Sequence, residues 1–154
     1  MSVVSEASAL MSCYLGIDYG GKRIGLSVSD AGGQFASPFK TVPSTGRHAF
    51  DADAVIRSSS DYDVTTFVIG LPLNMDGTEG PQAKVTRKFG TVLAQRSRLP
   101  VLYWDERLST VAADELMSHT NLTRKKKKAR RDPLAATVIL QEFLDRDQGA
   151  DHPQ

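Results

Sequence analysis

Among its 154 residues the chain has a single cysteine, Cys13. That excludes an internal disulfide and any zinc cluster assembled from cysteines, and it suits a reducing, cytoplasmic compartment. No apolar run approaches the ~20 residues that a membrane span needs. The opening stretch, MSVVSEASALMS, has neither the basic start nor the long apolar centre of a signal peptide. Residues 1–12 read instead as a disordered N-terminal extension. The three histidines, His48, His119 and His152, fall at no metal-ligand spacing, and nothing in the pattern marks a histidine nucleophile. Repeats and dividing linkers are absent too. Residues 13–147 therefore read as one domain, with 148–154 as a frayed tail.

What is present is the balance of a globular protein, 40% hydrophobic and 24% charged. The net charge of +1 hides an asymmetry, because Arg124–Arg131 reads RKKKKARR and leaves the rest of the chain at −6. A block of one sign repels itself, which predicts a mobile basic loop over 120–131. Cations at that density displace counterions from a nucleic acid. Arg124, Lys125, Lys126, Lys127, Lys128, Arg130 and Arg131 are therefore candidate nucleic-acid contacts.

Hydrophobic alternation predicts strands over Tyr14–Tyr19 and Ile24–Ser29, joined by a Gly20-Gly21 turn. A third strand within Gln34–Val42 contains Pro38, which predicts an edge position. A helix is expected over Arg47–Ser60, then a β-branched strand over Val64–Ile69. Pro81 opens a helix to about Arg98, with Val85, Phe89 and Leu93 at four-residue spacing. A strand over Val101–Trp104 and a helix capped by Ser109 or Thr110 follow. Asp132-Pro133, a favoured cap and first residue, predicts the start of the last helix. A meander followed by alternating strands and helices means an α/β fold. Its mixed five-stranded sheet combines a three-stranded antiparallel meander with two parallel strands, flanked by helices.

Asp18 is out of place in its strand, where Asp is depleted and a buried carboxylate is costly unless paired or metal-bound. Glu106 follows the strand VLYW, and Asp132 opens the last helix. Three carboxylates from separate segments suit a hard divalent cation, Mg2+ or Mn2+. Such ions can activate water and stabilise the leaving oxygen of a phosphodiester. Beside a cationic flap, this points to nucleic-acid hydrolysis. Lys22, Arg23 and Arg107 are candidate phosphate contacts. Asn74 is a candidate for positioning substrate, although its turn sequence NMDG gives it a structural role as well.

The blocks GIDYGGKRIGLSVSD, VIGLPLNMDGTEG, DERLST and DPLAATVILQEFL resemble the YqgF (RuvX) family of pre-16S rRNA nucleases, whose members have also been described as Holliday-junction resolvases. They occur in family order over nearly all of the chain from Leu15 to Leu144. The resemblance implies an RNase H-like fold and a cytoplasmic role in maturing the 5′ end of small-subunit ribosomal RNA. It also places Asp18, Glu106 and Asp132 at the positions of the family's acidic triad. One departure stands out: related nucleases often carry a fourth acid one turn after the third, where this chain has Ala135. Asp30 and Asp105 are the candidates to replace it. Other readings of the same residues are an RNase H-like binder of RNA or of ribosome-assembly or transcription partners, and a resolvase of branched DNA. The Asp-Gly hairpin also resembles the first phosphate motif of the actin, Hsp70 and sugar-kinase superfamily, which needs two such domains around its nucleotide. A monomer and a homodimer are both open.

Overall fold

The computed structural model describes residues 12–106 and 124–151, with side chains for 12–106 and 133–146. In chain order these form β1 (Tyr14–Tyr19), β2 (Arg23–Ser29), β3 (Ala36–Pro43), α1 (His48–Ser58), β4 (Thr66–Leu71), α2 (Pro81–Ser97), β5 (Val101–Asp105) and α3 (Arg124–Asp151). The sheet order is β3-β2-β1-β4-β5. β1 and β2, and β2 and β3, pair antiparallel, whereas β1 and β4, and β4 and β5, pair parallel. This is the expected mixed sheet of a meander plus two parallel strands.

β3 lies at the edge, where Pro38 costs no ladder bond to a further strand. Opposite Leu26 and Ser27 the register skips from Lys40 to Pro38, so Phe39 is the extra residue of a bulge. Such a bulge twists the edge and makes it a poor template for further pairing.

Alternation gives the sheet two apolar faces. Leu15, Ile17, Tyr19, Ile24, Leu26, Phe67 and Ile69 share one cluster with Ala52 and Val55 of α1 and Phe89 and Leu93 of α2. The other face is covered by α3, whose Ile139, Leu140 and Leu144 pack on Val68. Fully burying each such side chain contributes about 1.5–3 kcal/mol, so both helix layers are held chiefly by area removed from water. α3 sits very close to the sheet because Gly16 has no side chain. A Cβ there would lie 2.8 Å from Leu140 Cβ and 2.9 Å from the Ala136 carbonyl oxygen. Ser27 Oγ uses the same approach to donate to Ala136 O at 2.8 Å.

Two expectations need correction. Phe89 and Leu93 are buried on α2, but Val85 is 38% exposed, and Ala83, Thr86 and Gly90 complete the buried face. Steps of four residues drift by about 40° each around a helix, which carries Val85 off the core. The last helix also begins at Arg124, so Pro133 lies inside it and residues 124–131 are helical rather than a loop. Lys, Arg and Ala are strong helix formers, and they carry the helix through Pro133, although an interior proline removes one donor and crowds the carbonyl of the preceding turn. The helix expected from Ser109 or Thr110 to Met117, and residues 120–123 of the expected loop, lie outside the described residues.

Candidate functional site

Asp18 pairs with Gly25 across β1 and β2. Its neighbours Ile17 and Tyr19 belong to the α1/α2 cluster, so alternation puts Asp18 on the opposite face, with Gly16. That is the face covered by α3. In β4 the same alternation separates Ile69, on the α1/α2 face, from Val68 and Gly70, on the α3 face. Ile17 is in register with Ile69, so Gly70 is the next position on β4 beside Asp18.

Glu106 reaches this patch from the far side of β4. Gly70 pairs with Trp104 of β5, and Trp104 packs on the α3 cluster. Glu106 stands just past the end of β5, and its carboxylate comes back over Gly70. A Cβ at Gly70 would lie 3.3 Å from Glu106 Oε2 and 2.6 Å from Ile139 Cδ1. A side chain at position 70 would crowd the carboxylate. Asp18 and Glu106 thus stand on one face, at the carboxyl ends of the outer two of three parallel strands, with Gly70 between them. Crevices at such strand ends are where ligands bind in open α/β sheets.

The course of α3 places its start over the same end. Ala136 lies over Gly16 and Ser27, and Phe143 meets Tyr14 edge-on at 5.7 Å. The helix therefore runs against the direction of β1. Position 132 is one turn before Ala136, about 6 Å. Asp18 is two strand residues beyond Gly16, about 7 Å in the same direction. The backbone of Asp132 accordingly stands towards the Asp18 end of β1, while its side chain lies outside the described residues. Among the described residues no group of three or more His, Cys, Asp or Glu gathers into a metal site. The two described carboxylates, and the space over Gly70 that a Cβ would fill, fit a hard divalent cation, which takes oxygen donors.

The other candidates sort by position. Arg23 shares the α3 face with Gly25 and Asp18 by alternation, and Lys22 is exposed at the hairpin tip. Asn74 belongs to a tight turn after β4: Gly77 N–H donates to its carbonyl at 2.8 Å, and its Nδ2 donates to Thr78 Oγ1 at 3.0 Å. Asp30 stands at the opposite end of the sheet, where its Oδ1 accepts the N–H groups of Gln34 (2.8 Å) and Phe35 (3.1 Å). Those bonds hold it below the usual carboxylate range. Asp105 pairs with Leu71, the register that alternates away from Glu106. Neither acid takes the place of the fourth carboxylate, and Ala135 at the expected position is buried. Arg107, and the side chains of Arg124, Lys125, Lys126, Lys127, Lys128, Arg130 and Arg131, lie outside the described residues.

Two features escaped the sequence reading. Gly70 carried a signal, since glycine inside a strand often marks a close approach. Asp51 carried none. It is fully buried and accepts bonds from Tyr19 Oη (3.2 Å), Thr45 Oγ1 (2.7 Å) and Thr45 N–H (3.0 Å). Burial pushes the Tyr19 phenol above its ordinary range, and the Asp51 carboxylate adds to the rise. This network ties α1 to the residue next to Asp18, and Gln82 Nε2 of α2 adds a bond to Tyr19 O at 3.4 Å.

A family model described as "RuvX: Holliday junction resolvase" matches residues 12–146. The chain belongs to the RuvX family. A RuvX relative from Rhizobium johnstonii, named "Putative pre-16S rRNA nuclease", is 45% identical over 143 residues, 93% of this chain and 87% of its own. One of the same name from Sinorhizobium medicae is 47% identical over 131 residues, 85% of this chain and 79% of its own. Among solved structures, Thermus thermophilus RuvC in complex with a Holliday junction substrate matches with a TM-score of 0.55 at 14% identity, covering 93% of this chain and 99% of RuvC. At that identity the likeness is one of fold, and the fold is RNase H-like.

Proposed function

We propose that this RuvX chain is a divalent-metal-dependent nuclease that hydrolyses phosphodiester bonds and trims the 5′ end of precursor 16S ribosomal RNA in the cytoplasm. Asp18, Glu106 and Asp132 are the proposed catalytic and metal-holding residues, with Mg2+ or Mn2+ as the ion. The observation that carries this reading is the placement of Asp18 and Glu106 on one face across Gly70. The shared name of the relatives supports the RNA substrate. When bound, the ion would supply activation of water and neutralisation of charge on the leaving oxygen. The protein does the remaining work. Asp18 and Glu106 concentrate negative charge at a strand-end crevice where a phosphate alone would be repelled, so ion and substrate are drawn together. Arg23, on the same face, offers a planar guanidinium to a phosphate oxygen, with Lys22 at the hairpin tip beside it. The basic residues of α3, ahead of Asp132, supply sequence-independent attraction for the backbone of the substrate.

The family's description favours one second reading, the same hydrolysis on branched DNA. Purified protein incubated with labelled precursor rRNA, single-stranded RNA and four-way DNA junctions, with Mg2+, with Mn2+ and in excess EDTA, separates the two. The expected outcome is metal-dependent cutting with precursor rRNA as the best substrate. Asp18→Asn keeps the shape and removes one charge, so the rate should fall by orders of magnitude with RNA affinity largely retained and a matched thermal melt. Binding without cutting at any metal concentration would leave only an RNase H-like binding protein. Full-rate cutting in EDTA would exclude the metal.

A further inference from the structure

We propose that Arg47, with Lys22 on the adjoining hairpin tip, holds a backbone phosphate of the substrate strand at a fixed distance from the one being cut; the proposal rests on the nuclease reading above. An exposed cation alone is an ordinary surface feature. Three further observations distinguish this pair.

The first is its place. Asp18 pairs with Gly25, and Gly25 with Thr41, which sets Thr41 two strand spacings, about 10 Å, from Asp18. Ser44, three residues on, donates its N–H to Lys22 O at 2.9 Å and so joins the β3–α1 loop to the β1–β2 hairpin. His48 meets the Tyr19 ring edge-on at 6.1 Å, so the loop closes on the residue next to Asp18. By strand geometry Ser44 stands about 14 Å from Asp18. That is too far to share the ion, and it suits a neighbouring phosphate of the same strand. The second is its fixed shape. Thr45 donates its N–H and its hydroxyl to Asp51 Oδ1 at 3.0 and 2.7 Å, and Arg47 N–H donates to Thr45 Oγ1 at 3.2 Å. Gly46 adopts φ 81°, in the left-handed region that favours glycine. Asp51 is fully buried, which is costly for a carboxylate without such partners. The loop is therefore held before any ligand arrives, and Arg47 loses less freedom on binding. The third is charge. The chain has no acid from Tyr19 to Ser29 or from Ala31 to Phe50. Arg87 and Arg96 of α2 are bonded to Glu79 and Asp53, and Arg57 at the far end of α1 acts on Asp53. Arg47 and Lys22 are exposed, and neither forms an ion pair among the described residues. Cations at this margin offset the repulsion of phosphate by the acidic patch. A phosphate contact fixes the register of the strand and is blind to base identity.

The test uses the full chain carrying Asp18→Asn, which keeps the RNA intact, and a synthetic single-stranded fragment of precursor rRNA. One uncharged methylphosphonate linkage is placed in turn at each position of that RNA. The expected result is a loss of affinity at one or two adjacent linkages that is absent once Arg47→Gln is added. On the fully charged RNA, Arg47→Gln should weaken binding about 3- to 10-fold. It should also flatten the slope of log affinity against log salt by about 0.7. Arg57→Gln, the same charge change at the far end of α1, should do neither. The melting temperature of Arg47→Gln should not move, because the side chain is exposed and makes no capping bond. A linkage pattern that survives Arg47→Gln, or an effect matched by Arg57→Gln, overturns the contact and leaves the nuclease reading intact if the chain with Asp18 cuts. A chain with Asp18 that neither binds nor cuts this RNA with Mg2+ or Mn2+ overturns both.

Discussion

At Gly70 the missing side chain has two consequences that a substitution can separate. The position faces Ile139 Cδ1 and Glu106 Oε2, so Gly70→Ala would set a methyl group 2.6 Å from the first and 3.3 Å from the second. Overpacking of this kind costs about 1–3 kcal/mol. Shortening the neighbour in a Gly70→Ala, Ile139→Val double variant should recover most of that stability, since the Cδ1 that clashes is gone. It should not recover nuclease activity, because the new Cβ still crowds the Glu106 carboxylate. Chemical denaturation and a cleavage assay on the same two variants check both halves. Full activity in the double variant would show that Glu106 does not need the space. Asp51 contrasts with Asp18 and Glu106. It is buried among hydroxyl and backbone donors, and its role is to fix Tyr19 and the start of α1 rather than to face substrate.

The β2–β3 connection is an element whose stability depends on one titrating group. Asp30 lies below its ordinary value of 3.8, chiefly because the Phe35 N–H, and then the Gln34 N–H, donate to its carboxylate. A lowered folded value means that the ionised form is favoured by folding. Its contribution is therefore complete above about pH 4 and is lost as pH falls through the lower folded value. Asp30→Asn removes that contribution. The stability gap between the two proteins, read from urea midpoints, should be constant from pH 7 down to about 5 and shrink below 4. A gap independent of pH down to 2 would show that the two N–H bonds do not depend on charge. α3 shows a different dependence at the same scale. Past its midpoint it is anchored by Gln141, whose side chain accepts Ala36 N–H at 2.8 Å and donates to Gln34 O at 3.0 Å. Its middle is anchored by Ser27 and the close approach over Gly16. The docking of this middle section carries position 132 towards Asp18.

For the whole molecule, charge is divided by function. The residues outside Arg124–Arg131 are net acidic, and the proposed metal patch adds to that sign. A polyanion would be repelled from most of this surface without the basic block. Substituting Lys125, Lys126, Lys127 and Lys128 by Gln removes up to four phosphate contacts. The slope of log affinity against log salt should then flatten by about 3 to 4 units, with RNA and DNA affected alike. Titrations from low to moderate salt measure it. An unchanged slope and affinity would reduce the block to a solvated face of the helix.

The element types and most of their order were legible in the sequence, because alternation, turn glycines and the Pro38 edge signal act over a few residues. The sequence singled out Asp18 for the same reason: a carboxylate within an apolar strand violates a local rule. It misplaced the start of α3, where an Asp-Pro cap and a run of like charge pointed to one boundary and helix propensity to another. That Asp18 and Glu106 share a face emerges only on folding, since it depends on strand order and on the register of β1, β4 and β5. Tertiary structure alone gave Gly70 and Asp51 their roles. Both depend on what stands opposite them, and a partner distant in sequence leaves no trace in the local pattern. Folding brings such partners within van der Waals range, and the chemistry of the site is set at that range.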